Sequence, residues 1–370
     1  MTRVAVIVPW VLSNRFLVPS QLKQGSSGAE ETLINFTHQL FVSGLSVTVF
    51  YKGISLCEDA YGAHWKDLTD FNSDLDFSSV IFWNDYRSLL EPLFARCPPN
   101  ARTYVRFVNQ ISINDFYWLH SKSDYIVTQS HWLLSKYPIR PKNVIFCPNG
   151  IDKLSYDVDV QHAYRCPNTF IYGSEYDRGL SILLDLWPHI LNINPNAKLK
   201  IFHGWSVFDS KLLAASGANK TSMLAFKSFI ESKISSLHNV VELGRISHHD
   251  VIIMSRRARA LLYPCIFPEN CSTLSLKVQA AGCDIVSISC GGLPETLGIN
   301  TYRTMEVLWS DSSIYANGDT SKAVTEFRHL CLRYISSTYS PVDFDVTRSF
   351  INKYSYSNVF HDLISSLLSH

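Results

Sequence analysis

The sequence lacks the features of a secreted, zinc-binding or membrane-spanning chain. Its nine cysteines are an odd number and form no Cys-x-x-Cys pair, which argues against a disulfide framework or a zinc ribbon and favours a reducing compartment. The longest apolar stretch near the start, residues 4–12, contains Pro9 and is far shorter than the roughly 20 residues that cross a bilayer. Since it also lacks a basic segment followed by a small-residue cleavage site, we expect no signal peptide and a cytoplasmic location.

An excess of charge of one sign is also missing. The 33 Lys and Arg residues are balanced by 32 Asp and Glu residues, so the sequence predicts no general attraction to nucleic acid. Hydrophobic residues make up 46% of the chain, enough for buried cores and too many for a disordered tail. At roughly 100 to 200 residues per domain, the 370 residues predict about two domains.

Short apolar runs alternate with helical patterns along the chain. Residues 3–8 form a β-branched run typical of a strand buried on both faces, and Leu33, Phe36 and Leu40 follow at helical spacing before Gly44. Further predicted strands cover residues 47–51, 80–83, 103–108, 125–128, 144–146, 169–172, 199–203, 240–243, 260–263 and 285–289. The pattern predicts two doubly wound α/β domains, residues 1–155 and 165–345, whose strand ends face a shared cleft.

The turn after the first strand has no Gly-x-Gly-x-x-Gly motif, which weakens a dehydrogenase interpretation. A small-residue turn, Gly25 to Gly28, instead precedes the first helix. Its backbone N–H groups are either a phosphate site or only a flexible loop and helix cap. The choice between these stays open from the residues alone.

Loops in the second half place charged residues at strand ends. Arg178 begins a helix after one strand, where it either binds a diphosphate or is a solvated loop residue. Glu269 follows two prolines and precedes a helix whose periodicity puts Asn270, Thr273 and Lys277 on one face. Ser247 and Asp250 predict a helix cap, and His248 and His249 beside them are interpreted as surface residues. Trp205 either lines a donor site or packs in a core.

The ordered motifs GSSGAEE, PNGID, GSEYDRGL, NVVELGRISHHD, YPCIFPEN and GGLPETLG resemble those of family four GT-B glycosyltransferases, which are retaining and use nucleotide sugars. The segments YGSEYDRGLSILLDLWPHI, FHGWSVFD and SLKVQAAG resemble a subgroup with Ser before the RGL element. The resemblance covers most of the chain. It implies a GT-B fold of two Rossmann-like domains and a final helix, about residues 350–370, that crosses back onto the first domain.

Carried over to this sequence, the resemblance implies that Glu269 is the catalytic carboxylate that contacts the donor sugar. Arg178 takes the place of a phosphate-binding Lys, and Arg245 with Ile246 borders the base. The residues expected to contact the donor are Gly28, Ser174, Arg178, Trp205, Arg245, Ile246, Asn270, Cys271, Ser272, Thr273 and Lys277. Asn109 and Gln110 are expected near the sugar on the acceptor side.

Three positions depart from the family pattern. Ser174 stands where an Arg is often found, Lys277 stands where a second Glu normally holds the ribose, and Asn109-Gln110 follows the strand after which many members have a His. These departures leave a degenerate GT-B chain that binds without catalysis as one alternative. A nucleotide-sugar epimerase or phosphorylase is another.

The expected function is therefore metal-independent, retaining transfer of a sugar from a nucleoside diphosphate, UDP or GDP, to a hydroxyl of a glycan or lipid-linked acceptor. No other cofactor is expected, and a lipid-linked acceptor would be compatible with peripheral membrane contact. Three Asp-x-Asp pairs, at residues 74–76, 157–159 and 343–345, are interpreted as chance matches because none follows a clear sheet-end strand.

Overall fold

The computed structural model describes residues 2–9, 28–52, 58–138, 143–156, 165–298, 301–306, 320–340 and 344–369. Residues 25–27 of the predicted small-residue turn, the acidic pair at 157–159 and Asp343 lie outside these residues. The chain forms two compact units. Unit 1 comprises Met1–Asp152 and Lys353–His370, and unit 2 comprises Lys153–Asn352.

The strands agree closely with the apolar runs of the sequence. Within the described ranges they are β1 (Arg3–Val8), β2 (Ser46–Tyr51), β3 (Glu58–Ala60), β4 (Ala63–Asp67), β5 (Ser79–Phe82), β6 (Arg102–Phe107), β7 (Tyr125–Thr128), β8 (Val144–Phe146), β9 (Cys166–Tyr172), β10 (Lys198–Ile201), β11 (Val240–Glu242), β12 (Ala258–Tyr263), β13 (Asp284–Ser289) and β14 (Thr301–Glu306). The sequence predicted all of these except β3 and β14, which are edge strands, and β4, which lies between β3 and β2; these three strands are less apolar than the others.

The helices follow the strands in an alternating order. They are α1 (Gly28–Val42), α2 (Arg87–Phe94), α3 (Ile113–Lys122), α4 (His131–Ser135), α5 (Leu180–Ile193), α6 (Ser206–Ala214), α7 (Gly217–Ser236), α8 (His248–Arg257), α9 (Thr273–Ala280), α10 (Leu293–Thr296), α11 (Ser321–Ser336), α12 (Phe344–Lys353), α13 (Tyr356–Val359) and α14 (His361–Leu368). Gly44, with a φ of +84°, follows the end of α1 as predicted. None of the helices that the structure describes combines the length and the apolar character needed to span a bilayer.

Unit 1 is built on an eight-stranded sheet in the order β3-β4-β2-β1-β5-β6-β7-β8. All neighbouring strands run parallel except β3, which is antiparallel to β4. Val6 of β1 lies between Val49 of β2 and Ile81 of β5, and all three side chains are buried. This pattern explains why the strands read as continuous apolar runs.

The end of the chain belongs to unit 1. Phe360, between α13 and α14, packs edge-on against Phe36 of α1 with ring centroids 4.9 Å apart. Ser366 of α14 lies 3.1 Å, Oγ to Oη, from Tyr104 of β6. These contacts confirm the predicted return of the chain to the first domain, although the segment forms two short helices where one was predicted.

Unit 2 is built on a six-stranded, entirely parallel sheet in the order β11-β10-β9-β12-β13-β14. The first three strands proceed outward in one direction and the next three in the other, so the order reverses between β9 and β12. Such a topological switch point opens a crevice at the carboxyl ends of the strands. The helical stripe of α5, which includes Leu183 and Trp187, is buried in the core of this unit. The predicted doubly wound α/β class is confirmed.

Candidate functional site

The main candidate site lies at the topological switch point of unit 2. The loop after β9 carries Ser174 and Arg178, and the loop after β12 carries Glu269. Because β9 and β12 are neighbours in a parallel sheet, both loops leave the sheet at its carboxyl edge. The structure thus brings together three of the residues that the sequence assigned to the donor.

Arg178 and Glu269 form an ion pair in this crevice. Arg178 Nη1 donates a 2.5 Å hydrogen bond to Glu269 Oε1, and the guanidinium lies 4.2 Å from the centroid of the Phe267 ring. Burial disfavours the charge on Arg178, but Glu269 outweighs it and raises the pKa of the guanidinium above its ordinary value. The two side chains remain 26% and 13% exposed, so a ligand can reach the pair.

Tyr263, the last residue of β12, contacts the carboxylate of Glu269. Its Oη donates a 3.1 Å hydrogen bond to Glu269 Oε1 and lies 3.5 Å from Ser174 Oγ. Burial raises the pKa of the phenol well above its usual range, so Tyr263 stays a neutral donor. The sequence analysis did not assign Tyr263 a role, because a tyrosine at the end of an apolar strand has the pattern of a core residue.

Two glycines allow the loops of the site to approach each other. Gly291, with a φ of +66°, lies so close to the Glu269 loop that a Cβ there would be 2.5 Å from the Glu269 carbonyl oxygen. Gly292 N donates to that same oxygen at 2.6 Å. Gly179, with a φ of +105°, would likewise place a Cβ against the Pro264 carbonyl. Any side chain at these positions would displace the loops that hold the ion pair.

The helix after Glu269 begins at Thr273, beyond Asn270. Ser272 is the N-cap residue of α9, and its Oγ accepts a 3.3 Å hydrogen bond from Ser275 N. Asn270 therefore lies before the helix, and the predicted helical face that it shares with Thr273 and Lys277 was wrong. Cys271 also precedes the helix, and Thr273 is its first residue.

Lys277 is buried, with 5% of its surface exposed, and its Nζ contacts His248 Nδ1 at the start of α8. His248 was interpreted as a surface residue, and this was wrong because the packing of α8 on α9 brings it to Lys277. The predicted cap beside it is confirmed: Ser247 Oγ accepts a 3.1 Å hydrogen bond from Asp250 N.

The other residues of unit 2 that the sequence predicts to contact the sugar donor lie on neighbouring elements. The Trp205 ring is 8% exposed and packs between Tyr176 and Phe208, with centroids 5.0 and 4.9 Å away, so it has the contacts of a core residue. Ile246 packs partly buried against the same core. Arg245 is exposed and donates to Ser206 Oγ at 2.6 Å. Contact of these residues with a donor stays a prediction.

Unit 1 carries a separate group of candidate residues. Gly28 is the first residue of α1, and Asn109 and Gln110 follow β6. Asp85 is fully buried and accepts hydrogen bonds from Val108 N at 2.7 Å and from both Asn109 N and Asn109 Nδ2 at 2.6 Å. Burial raises the pKa of Asp85 to about 6. Asp85 therefore fixes the Asn109 loop.

A buried polar cluster lies at the same edge of the unit 1 sheet. Arg106 of β6 stacks 3.9 Å from the centroid of the Trp83 ring and donates a 2.9 Å hydrogen bond to Asn149 Oδ1. Gln129 Nε2 donates to the same oxygen at 2.5 Å. The sequence analysis missed this cluster and Asp85, although a signal was present: a polar or aromatic residue ends or closely follows each of β5 to β8.

Several solved proteins share this fold. Sucrose-phosphate synthase from Thermosynechococcus elongatus matches with a TM-score of 0.65 and 10% sequence identity, covering 100% of both chains. HepE from Anabaena, solved in complex with UDP and glucose, matches with a TM-score of 0.63 and 11% identity, again covering 100% of both chains. A glycosyltransferase from Rickettsia africae matches with a TM-score of 0.64 and 13% identity over 100% of this chain and 99% of that chain.

These comparisons confirm the predicted GT-B fold over the whole chain, and at such identities they establish the fold alone. No model of a known protein family matches the sequence, and a search of curated proteins finds no relative.

Proposed function

We propose that the chain is a glycosyltransferase that binds a nucleoside diphosphate sugar on unit 2 and transfers the sugar to a hydroxyl acceptor. The observation that carries the proposal is the meeting of Arg178 and Glu269 at the topological switch point. A cation and a carboxylate there match the two charges that develop when a sugar leaves a diphosphate. The solved HepE complexes, which contain UDP and UDP-glucose, support the same choice of donor.

Arg178 is the residue proposed to bind the diphosphate. A guanidinium forms paired hydrogen bonds to phosphate oxygens, and it stays charged at every physiological pH. As the bond to the sugar breaks, negative charge grows on the leaving diphosphate. A cation already fixed on the Phe267 ring stabilises that charge without having to reorganise.

Glu269 is the residue proposed to act on the sugar. Its carboxylate is held by Tyr263 and by Arg178, and the backbone of its loop is bonded to Gly292. Binding of the diphosphate to Arg178 would compete with Glu269 for the guanidinium and leave the carboxylate beside the sugar. There it can stabilise the positive charge that develops on the sugar ring in glycosyl transfer.

Membership of family four, retention of the anomeric configuration and independence from metal are part of the proposal, and the motif resemblance supports them. No group of three or more potential metal ligands occurs among the described residues, and Asp76 of one acidic pair is bonded to Arg3. NMR of the anomeric proton of the product tests retention. Full activity in excess EDTA is expected, and activity restored only by Mn²⁺ or Mg²⁺ would contradict metal independence.

The acceptor is proposed to be a hydroxyl of a glycan or a lipid-linked sugar, with Asn109 and Gln110 of unit 1 on its side. The fixed position of Asn109 against Asp85 supports this assignment. A cytoplasmic location is proposed as well. Cys147, Cys265 and Cys283 are buried thiols that form no disulfide, which suits a reducing compartment.

The deciding experiment is a thermal-shift screen of the wild-type chain against UDP-, GDP- and ADP-sugars, followed by an assay for released nucleoside diphosphate. A ligand at about 100 times its dissociation constant stabilises the native state by about 2.7 kcal/mol. We expect stabilisation by one nucleotide class and slow release of its diphosphate. Stabilisation without release in the presence of candidate acceptors would favour a non-catalytic GT-B chain, and no stabilisation would contradict the proposal.

A further inference from the structure

A buried carboxylate occupies the start of α6. Glu175, on the loop after β9, is 3% exposed. It accepts hydrogen bonds from Val207 N at 3.1 Å, from Phe208 N at 3.3 Å and from Ser206 Oγ at 2.9 Å. The unsatisfied N–H groups of a helix start are a common binding place for phosphate. Here the chain supplies its own anion, so α6 is closed to a ligand phosphate.

The same carboxylate holds a second arginine in place through Ser206. Arg245 Nη2 donates a 2.6 Å hydrogen bond to Ser206 Oγ, and Ser206 in turn donates to Glu175. Among the described residues Arg245 makes no ion pair, so its charge is held at the surface by a neutral hydroxyl. The backbone joins these loops as well, since His203 N donates to Gly244 O at 3.0 Å.

The charges of two arginines act on His203. Burial, together with the positive charges of Arg245 and Arg178, lowers the pKa of His203 to about 4. His203 Nδ1 lies 3.3 Å from Glu175 Oε1 without forming a hydrogen bond to any described residue. The imidazole is therefore neutral, and it lies in a region that already carries two cations.

We infer that Arg245 is a second cationic ligand of the donor diphosphate, fixed by the chain Arg245–Ser206–Glu175. The inference rests on the proposed function and adds the group that shares the diphosphate charge with Arg178. A bound diphosphate carries more negative charge than one guanidinium neutralises, and Ser174 in the loop of Arg178 supplies none. Arg245 provides the missing charge from the loop before α8.

A set of three ligands distinguishes this role from the predicted contact of Arg245 with the base. The wild-type chain is first titrated with UDP, GDP and ADP, and the best of these is then compared with its monophosphate and its nucleoside. We expect Arg245→Ala to weaken binding of the diphosphate about tenfold and to weaken binding of the monophosphate less. Binding of the nucleoside should not change. Arg257→Ala, at the exposed far end of α8, removes the same charge and should change none of the affinities.

The link from Arg245 through Ser206 to Glu175 is tested with two matched serine variants of α6. Ser206→Ala removes the bridge to Arg245 but leaves Glu175 bonded to Val207 N and Phe208 N. Ser210→Ala removes a hydroxyl that bonds only the backbone of its own helix, at Ser206 O. We expect Ser206→Ala to weaken binding of the diphosphate several-fold. Adding Ser206→Ala to Arg245→Ala should cause no further loss of diphosphate affinity, and Ser210→Ala should leave the affinity unchanged.

Equal diphosphate affinity of the wild type and Arg245→Ala would overturn the inference and leave the proposed function standing. If Arg245→Ala lowered the affinities for the diphosphate, the monophosphate and the nucleoside equally, the inference would also be overturned, because that pattern indicates a base contact. A wild-type chain that binds none of the three diphosphates would contradict the proposed function and this inference together.

Discussion

Arg178 and Glu269 are 91 residues apart in the sequence, yet their side chains share a 2.5 Å hydrogen bond at the crevice of unit 2. The pair gives each residue a partner in the absence of donor. A diphosphate that binds Arg178 has to displace a carboxylate, which makes nucleotide binding and the position of Glu269 interdependent. Variants of the two residues should therefore change nucleotide affinity in opposite directions.

Glu269→Gln should lower transfer by about a hundredfold or more, the scale seen when a group that stabilises the transition state is lost. Nucleotide affinity should rise rather than fall, because the amide competes less well than a carboxylate for Arg178. Calorimetry and release of nucleoside diphosphate measure the two effects. Glu231→Gln, on the exposed side of α7, is the matched control. Near-normal transfer by folded Glu269→Gln would remove Glu269 from the catalytic role.

Arg178→Ala should weaken nucleotide binding by roughly 1.5 to 3 kcal/mol, the cost of a charge-assisted hydrogen bond to phosphate. Arg178→Lys should keep part of the affinity, since it keeps the charge but not the paired geometry. Titration calorimetry gives both values. Unchanged affinity in Arg178→Ala would place this side chain outside the nucleotide site.

Tyr263→Phe removes one hydroxyl and leaves the ring in the core. We expect turnover to fall by about three- to tenfold, as for the loss of one hydrogen bond of 0.5 to 1.5 kcal/mol, with little change in nucleotide affinity. Tyr334→Phe is the matched control, because Tyr334 is also buried in unit 2 and donates to Asp284 Oδ2 at 2.6 Å, away from the loops of the site. Equal turnover of the two variants would show that Tyr263 does not position Glu269.

Lys277→Met keeps most of the length of the buried side chain and removes its charge. We expect weaker nucleotide binding, because an ammonium one turn into α9 can donate to ribose or phosphate oxygens. His248→Ala should have a smaller effect in the same direction, since His248 contacts Lys277 Nζ. If calorimetry gives equal affinity for wild type, Lys277→Met and Lys277→Glu while stability falls, Lys277 is a structural residue only.

Asp85 should make the stability of unit 1 depend on pH. Burial raises its pKa from 3.8 to about 6, so the native state binds this proton more tightly than the unfolded state does. The stability that Asp85 contributes is therefore fully present below about pH 4 and is lost, by about 3 kcal/mol, as the pH rises through 6. Urea unfolding between pH 4 and 7 should show a shallower decline for Asp85→Asn than for the wild type.

The contribution of Asp67 to stability should have the opposite pH dependence in the same urea-unfolding measurement. Hydrogen bonds from the side chain and backbone of Thr69 lower its pKa below 3.8, so its contribution is present above that pH and is lost as the pH falls. Asp67→Asn should leave the slope between pH 4 and 7 unchanged. If the free energy of unfolding of Asp85→Asn changed with pH as steeply as that of the wild type, Asp85 would not titrate in this range.

Most of the fold could be predicted because buried parallel strands have a strong sequence pattern. The run at 3–8 appears as β1 with unchanged ends, and the runs at 125–128 and 144–146 likewise match β7 and β8. Strand β4 was missed because its residues, AHWKD, alternate between buried and exposed over only five positions. A short alternating run gives a weaker sequence pattern than the continuous apolar run of a strand buried on both faces.

The site was predictable only where charge and loop position coincide. Arg178 and Glu269 stand out as charged residues beside glycine and proline at strand ends. Tyr263 does not, because a tyrosine at the end of an apolar strand has the pattern of a core residue. Glu175 does not either, because its role comes from a contact with Ser206, 31 residues later in the sequence. The start of α9 could be predicted only to within three residues, because Cys271, Ser272 and Thr273 are all acceptable at a helix start and only the hydrogen bond from Ser275 N selects Ser272 as the N-cap.

The chain enters unit 2 at residue 153 and returns to unit 1 at residue 353. In the order of synthesis, every residue of unit 2 has therefore been made before the last segment of unit 1. Phe360 and Ser366, which close the packing around α1 and β6, are made after all of unit 2. During translation unit 2 can fold as a continuous segment, whereas unit 1 has to keep the site of α13 and α14 open until that later segment has been made.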